Sequence, residues 1–140
     1  MSESPVFNAL VAKAAVAAAA ERIDEALEDY ARALALAPTN PQLHHNVGVL
    51  LARRGDLPGA ERHLIEAERL HPASPVSSLA IGHLCFRAGR IGDAAAAFER
   101  ALRRAPDSFE ASSNLGLSLH ALGESARALA VLMELEANAG

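Results

Sequence analysis

The sequence predicts an all-α fold, a solenoid of four helix-turn-helix units. Three observations predict it. The chain repeats itself with a period of 34 residues. Its 140 residues include 32 alanines and 20 leucines but few β-branched or aromatic residues. Glycine and proline punctuate successive repeats at matching places. With no tryptophan, one tyrosine and four phenylalanines, a β-sandwich or barrel is disfavoured. The 51% apolar and 21% charged fractions are those of a globular chain.

The period rests on named positions. Gly48, Gly55, Ala60, Ala67 and Pro72 recur one period later as Gly82, Gly89, Ala94, Ala101 and Pro106, identical at every position. One period earlier stand Ala14, Glu21, Ala26, Ala33 and Pro38. One period after the Gly82 series, Gly116, Gly123 and Ala128 still fit. Large apolar columns keep the same spacing: Tyr30, Leu64, Phe98, Leu132 and Ala17, Leu51, Cys85, Leu119. A further column, Val47, Ile81, Leu115, is interrupted at its front by Lys13. After a lead-in of residues 1–6, the repeat domain 7–140 divides into units 7–40, 41–74, 75–108 and 109–140.

Each unit reads as two helices. The first starts at a capping residue followed by proline, at Ser4-Pro5, Asn40-Pro41 and Ser74-Pro75, and Asp107 supplies the cap in the last unit. It stops near Gly55, Gly89 or Gly123, where glycine permits a left-handed turn, while Glu21 replaces that glycine in the first unit. The second helix runs to Pro72 or Pro106, which cannot continue it. In the last unit it covers roughly Glu124 to Ala137, with leucines, Val131 and Met133 spread around it. Solenoids usually carry a terminal helix with a polar outer face, and none follows Gly140, so the expectation is either a fragment of a longer protein or self-association through this uncapped helix.

These residues, over about 134 of the 140 positions, resemble the tetratricopeptide repeat (TPR) family. The resemblance implies a right-handed α-solenoid of four TPR units. It also implies a protein-interaction module whose first helices line a concave groove that binds a peptide or helix of a partner protein. At about 100° per residue, the stripe opposite the packing face carries Gln42, His45, Asn46, Val49, Ala52 and Arg53 in the second unit. In the third it carries Leu79, His83, Phe86 and Arg87, and in the fourth Asn114, Leu117 and His120. In the first unit the stripe is mostly valine and alanine, without the lysines that the carboxylate-clamp subclass uses.

Asn46 and Asn114 share a column two periods apart, and an amide offers donor and acceptor to a partner's backbone. Arg53 and Arg87 share another, and a guanidinium grips a carboxylate bidentately. Net charge is −3, 0, +2 and −3 over residues 1–40, 41–74, 75–108 and 109–140. The middle of the groove is thus expected to be locally basic and the partner segment acidic. Leu79, Val49, Leu117 and an exposed Phe86 would supply apolar anchors.

Other classes are disfavoured. A net charge of −4 opposes nucleic-acid binding. No apolar stretch is long enough to span a membrane, and the alanine tract Ala14 to Ala20 is too weakly hydrophobic for an export signal, so a cytoplasmic, bacterial protein is expected. Cys85 falls in a core column, and the six histidines form no HExxH and no i,i+4 pair, so neither metal nor cofactor is expected. Asp24, Glu25, Glu28 and Asp29 read as a solvated helix face, not a catalytic pair. The chain is expected not to be an enzyme. The alternative is a recruiting arm of a larger bacterial enzyme, such as a glycosyltransferase, methyltransferase, sulfotransferase or hydroxylase.

Overall fold

The structure, a computed structural model, describes residues 4–139. Residues 1–3 of the lead-in and Gly140, the last residue of the fourth unit, lie outside the described residues. Among the described residues there are eight helices and no strand. They are α1 (Pro5–Ala19), α2 (Ile23–Leu36), α3 (Pro41–Arg54), α4 (Leu57–Leu70), α5 (Val76–Arg87), α6 (Ile91–Arg104), α7 (Phe109–Ala121) and α8 (Ser125–Ala139). The chain divides into two compact parts, one ending at Leu70 and the other beginning at His71. In the first part α1 packs on α2, α3 on α4, and α3 also on α2. In the second, α5 and α7 both pack on α6, and α8 packs on α7. None of the described helices is long and apolar enough to cross a membrane.

Capping chemistry sets the helix starts. Ser4 Oγ accepts the Phe7 N–H at 3.1 Å, and Asn40 Oδ1 accepts that of Leu43 at 3.1 Å, each with proline in the first turn. Two expected starts shift by one residue. Pro75 is itself the cap of α5, so the helix begins at Val76. Ser74 Oγ reaches only the Val76 N–H (3.2 Å), while Ser78 Oγ donates to the Pro75 carbonyl (3.0 Å). Asp107 does not cap α7; Ser108 does, because it stands three residues before the Ala111 N–H it accepts (3.1 Å).

The turns after α3, α5 and α7 place Gly55, Gly89 and Gly123 at φ of 94°, 79° and 82°. Glu21 adopts the same left-handed conformation at φ 61° although it carries a side chain. Glu21→Gly is therefore expected to raise stability by about 1 kcal/mol, read as a higher midpoint in urea denaturation. A lowered midpoint would show that Glu21 is not strained.

The core of the first part gathers Phe7, Ala14 and Ala17 of α1, Ala26, Tyr30 and Ala33 of α2, and Leu43, Val47 and Leu50 of α3. Small residues on the first helices let large ones on the second approach. A Cβ added at Gly48 would lie 2.7 Å from Leu64 Cγ, and one at Gly82 would lie 2.6 Å from Phe98 Cδ1.

One side chain expected in water is buried. Asp29 is only 3% exposed, because its place on α2 turns it toward α1. Lys13 Nζ and an Arg32 guanidinium nitrogen each lie 3.9 Å from its carboxylate, and Oδ2 accepts no hydrogen bond. The same pair explains Lys13. It stands in an apolar column but keeps its side chain 62% exposed and turns its ammonium to Asp29.

Candidate functional site

The first part of the chain brings four of the sequence-predicted residues together. His45, Asn46 and Val49 are half-buried on α3, and Arg53 is exposed one turn further on. With Ala18 of α1, Tyr30 of α2, and Gln42 and Leu50 of α3, they line a cavity of about 270 Å³. No acidic residue lines it. Arg53 has no carboxylate partner among the described residues, whereas Arg54 beside it is tied to Asp24 at 2.8 Å.

The Asn46 amide is held in a fixed orientation. Gln42 Nε2 donates to Asn46 Oδ1 (2.9 Å), and Asn46 Nδ2 donates to the Tyr30 hydroxyl (3.5 Å). One amide N–H and one lone pair are left for another partner. Burial pushes the Tyr30 phenol above its ordinary pKa, with the Asn46 bond acting weakly the other way. Burial lowers His45 below its ordinary pKa, so its ring is neutral near pH 7 and the positive charge of the cavity rests on Arg53. Gln42 lies on the stripe that helical spacing picks out on α3, whereas sequence reasoning misses Tyr30 as a site residue. Tyr30 was placed only in a core column, and its hydroxyl emerges at the edge of that core.

The second part places the remaining residues differently. Leu79 and Phe86 are half-buried on α5, so Phe86 is less open than expected, while His83 and Arg87 are exposed. His83 Nε2 lies 3.2 Å from Glu110 Oε1 of α7, and its ring stands edge-on to Phe98. An acid thus occupies the imidazole that was expected to face a ligand. Asn114 is half-buried on α7. Leu117 and His120 line a separate groove on α7 and α8, and His120 Nδ1 pairs with Ser125 Oγ at 3.1 Å. Asn46 lies in the part of the chain that ends at Leu70 and Asn114 in the part that begins at His71.

A histidine pair also escaped the sequence. Nδ1 of His44 on α3 meets Nδ1 of His63 on α4 at 3.1 Å. His44 Nε2 donates to the Pro38 carbonyl (2.8 Å), which leaves Nδ1 of the neutral ring as an acceptor for the His63 N–H. Burial, then the neighbouring His44 and Arg62, lower the pKa of His63. At His45 and His63 the folded chain favours the neutral ring, so the unfolded chain takes up protons first as pH falls. Their contribution is complete above the ordinary histidine pKa of about 6.5 and is lost below it, toward the depressed folded values. The denaturation midpoint is expected to fall between about pH 7.5 and about pH 5.5, and His63→Gln to shrink that fall.

A family model described as "Tetratricopeptide repeat" matches residues 79–140, and one described as "TPR repeat" matches residues 18–55. No curated protein matches the sequence. Among solved structures, the first TPR of Spaghetti (RPAP3) bound to the HSP90 peptide SRMEEVD is 25% identical, with a TM-score of 0.79. The match covers 86% of this chain and 96% of that one. MamA from Desulfovibrio magneticus RS-1 is 17% identical with a TM-score of 0.82, over 94% of this chain and 76% of that one. The Thermobaculum terrenum O-GlcNAc transferase is 24% identical with a TM-score of 0.74, over 86% of this chain but only 24% of the transferase.

Proposed function

The chain belongs to the tetratricopeptide repeat family, and on that premise we propose that it is a non-catalytic module that binds a segment of another protein. The observation that carries this reading is the α3 cavity, where an exposed Arg53, without a carboxylate partner among the described residues, stands beside an oriented Asn46 with no acid in the lining. In this reading the partner is an acidic segment. Its carboxylate meets the Arg53 guanidinium, and its backbone meets the free N–H and lone pair of Asn46. Val49 and Leu50 supply the apolar wall. The RPAP3 repeat domain, similar in fold, is bound to a peptide with two glutamates and an aspartate, which supports an acidic partner. The reading places the protein in the cytoplasm.

Calorimetric titration of a peptide with an acidic tail tests this reading, beside the same peptide with its acids replaced by amides. Asn46→Ala is expected to weaken binding of the acidic peptide about tenfold, near the value of one hydrogen bond. The amide peptide is expected to bind more weakly than the acidic one. Equal affinity of both peptides for the unaltered chain would overturn the reading. A recruiting arm of a larger enzyme would use the same cavity, and the binding data would stand for either.

A further inference from the structure

Three columns are buried on α3, α5 and α7 but open on α1. On α3, Leu43, Val47 and Leu50 are buried in the core shared with α1 and α2. Their counterparts Ser77, Ile81 and Leu84 on α5 are buried too, as are Ala111, Leu115 and Ser118 on α7. One period before Leu43, Val47 and Leu50 stand Ala9, Lys13 and Val16, and all three are exposed, Val16 at 63%.

A receiving surface of the same design is open on α7 and α8. In the first part of the chain, the core that takes in α3 is built from Ala14, Ala26 and Tyr30, with Leu27 packed against it. Three periods later the same positions are Gly116, Ala128, Leu132 and Leu129, and they line a groove of about 440 Å³. Leu129 and Leu132 are 59% and 42% exposed, whereas Ala95 and Phe98, in the same columns on α6, are buried where α7 packs.

We propose that the groove on α7 and α8 is filled by α1 of a second copy of this chain. The contact would repeat between molecules the way α3 joins the core built by α1 and α2 within one molecule. The side chains that α1 offers suit it. Ala9 and Val16 are small knobs, and Lys13 directs its ammonium to Asp29 while its apolar stem lies along the helix. Charge does not oppose the contact: α1 carries one lysine and no acid, and no lysine or arginine lines the groove. Each copy uses two different faces, so the association is heterologous and extends head to tail. This inference does not rest on peptide binding at the α3 cavity.

Sedimentation velocity across the micromolar to millimolar range tests it, with circular dichroism to check that each variant folds. The sedimentation coefficient of the unaltered chain is expected to rise with concentration. Val16→Glu and Leu132→Glu, both at solvent-facing positions, are each expected to give a monomer at every concentration. An equimolar mixture of the two is expected to form a dimer and stop there, because one variant keeps an intact α8 face and the other an intact α1 face. A monomeric unaltered chain would overturn the proposal. So would undiminished self-association of Val16→Glu, which would point to pairing through α8 alone, and so would a mixture that stays monomeric.

Discussion

Phe98→Ala is expected to lower the stability of the chain by about 3–5 kcal/mol. The ring is 1% exposed, is the largest fully buried side chain among the described residues, and sits directly over Gly82. Glycine at position 82 and phenylalanine at position 98 are a matched pair: the missing Cβ is what lets the ring approach. Alanine at 98 would leave a void that α5 cannot close, since Ile81, Leu84 and Cys85 are already buried. The same column provides its own control. A Cβ at Gly82 would lie 2.6 and 2.7 Å from the ring carbons Cδ1 and Cζ, but one at Gly116 would meet Leu132 at ordinary contact, 3.6 Å. Gly82→Ala is thus expected to destabilise by about 1–3 kcal/mol, and Gly116→Ala to be neutral or stabilising by up to about 1 kcal/mol. Denaturant midpoints read all three. Equal effects at Gly82 and Gly116 would refute the matched pair.

Arg53→Glu is expected to weaken binding of an acidic peptide by about 2 kcal/mol or more, roughly thirtyfold. The substitution removes the guanidinium that faces the α3 cavity with no carboxylate partner among the described residues and replaces it with the charge of the ligand. Arg54→Glu, one position along, is the control: its guanidinium already belongs to Asp24, so the cavity keeps its charge. Salt separates charge from shape. Binding by the unaltered chain is expected to weaken as ionic strength rises, and binding by Arg53→Ala to change little. A stability loss in Arg53→Glu is not expected, because the side chain is exposed.

Much of the fold was legible because repetition multiplies weak signals. A single glycine proves little, but Gly55, Gly89 and Gly123 at one spacing mark three turns, and all three take the left-handed conformation. The same logic read Lys13 as an interruption and could not see its reason, since Asp29 answers it from another helix. Features present in one repeat are invisible to a periodic reading. His44 stands in a column with Leu10, Ser78 and Ser112, and His63 in one with Asp29, Ala97 and Val131, so no second copy of the pair announces it. The stripe on α3 was found from helical geometry alone, yet it named only residues of α3. Tyr30, which fixes Asn46 across the helix interface, requires the packing itself. The helix starts at Val76 and Phe109 each fall one residue from the expected place for simpler reasons: Ser108, not Asp107, stands three residues before the N–H it accepts, and Pro75 takes the cap position of α5 with no side-chain bond.

The scarcity of aromatic and sulfur-bearing residues has a practical consequence. Tyr30 is the sole tyrosine, there is no tryptophan, and Tyr30 lies buried in the part of the chain that ends at Leu70. Cys85 is the sole cysteine and lies buried in the part that begins at His71. Intrinsic fluorescence therefore follows the opening of one part and the rate of thiol labelling follows the other, with no engineered probe. Whether the two parts melt together or in sequence becomes a comparison of two curves from one unmodified sample.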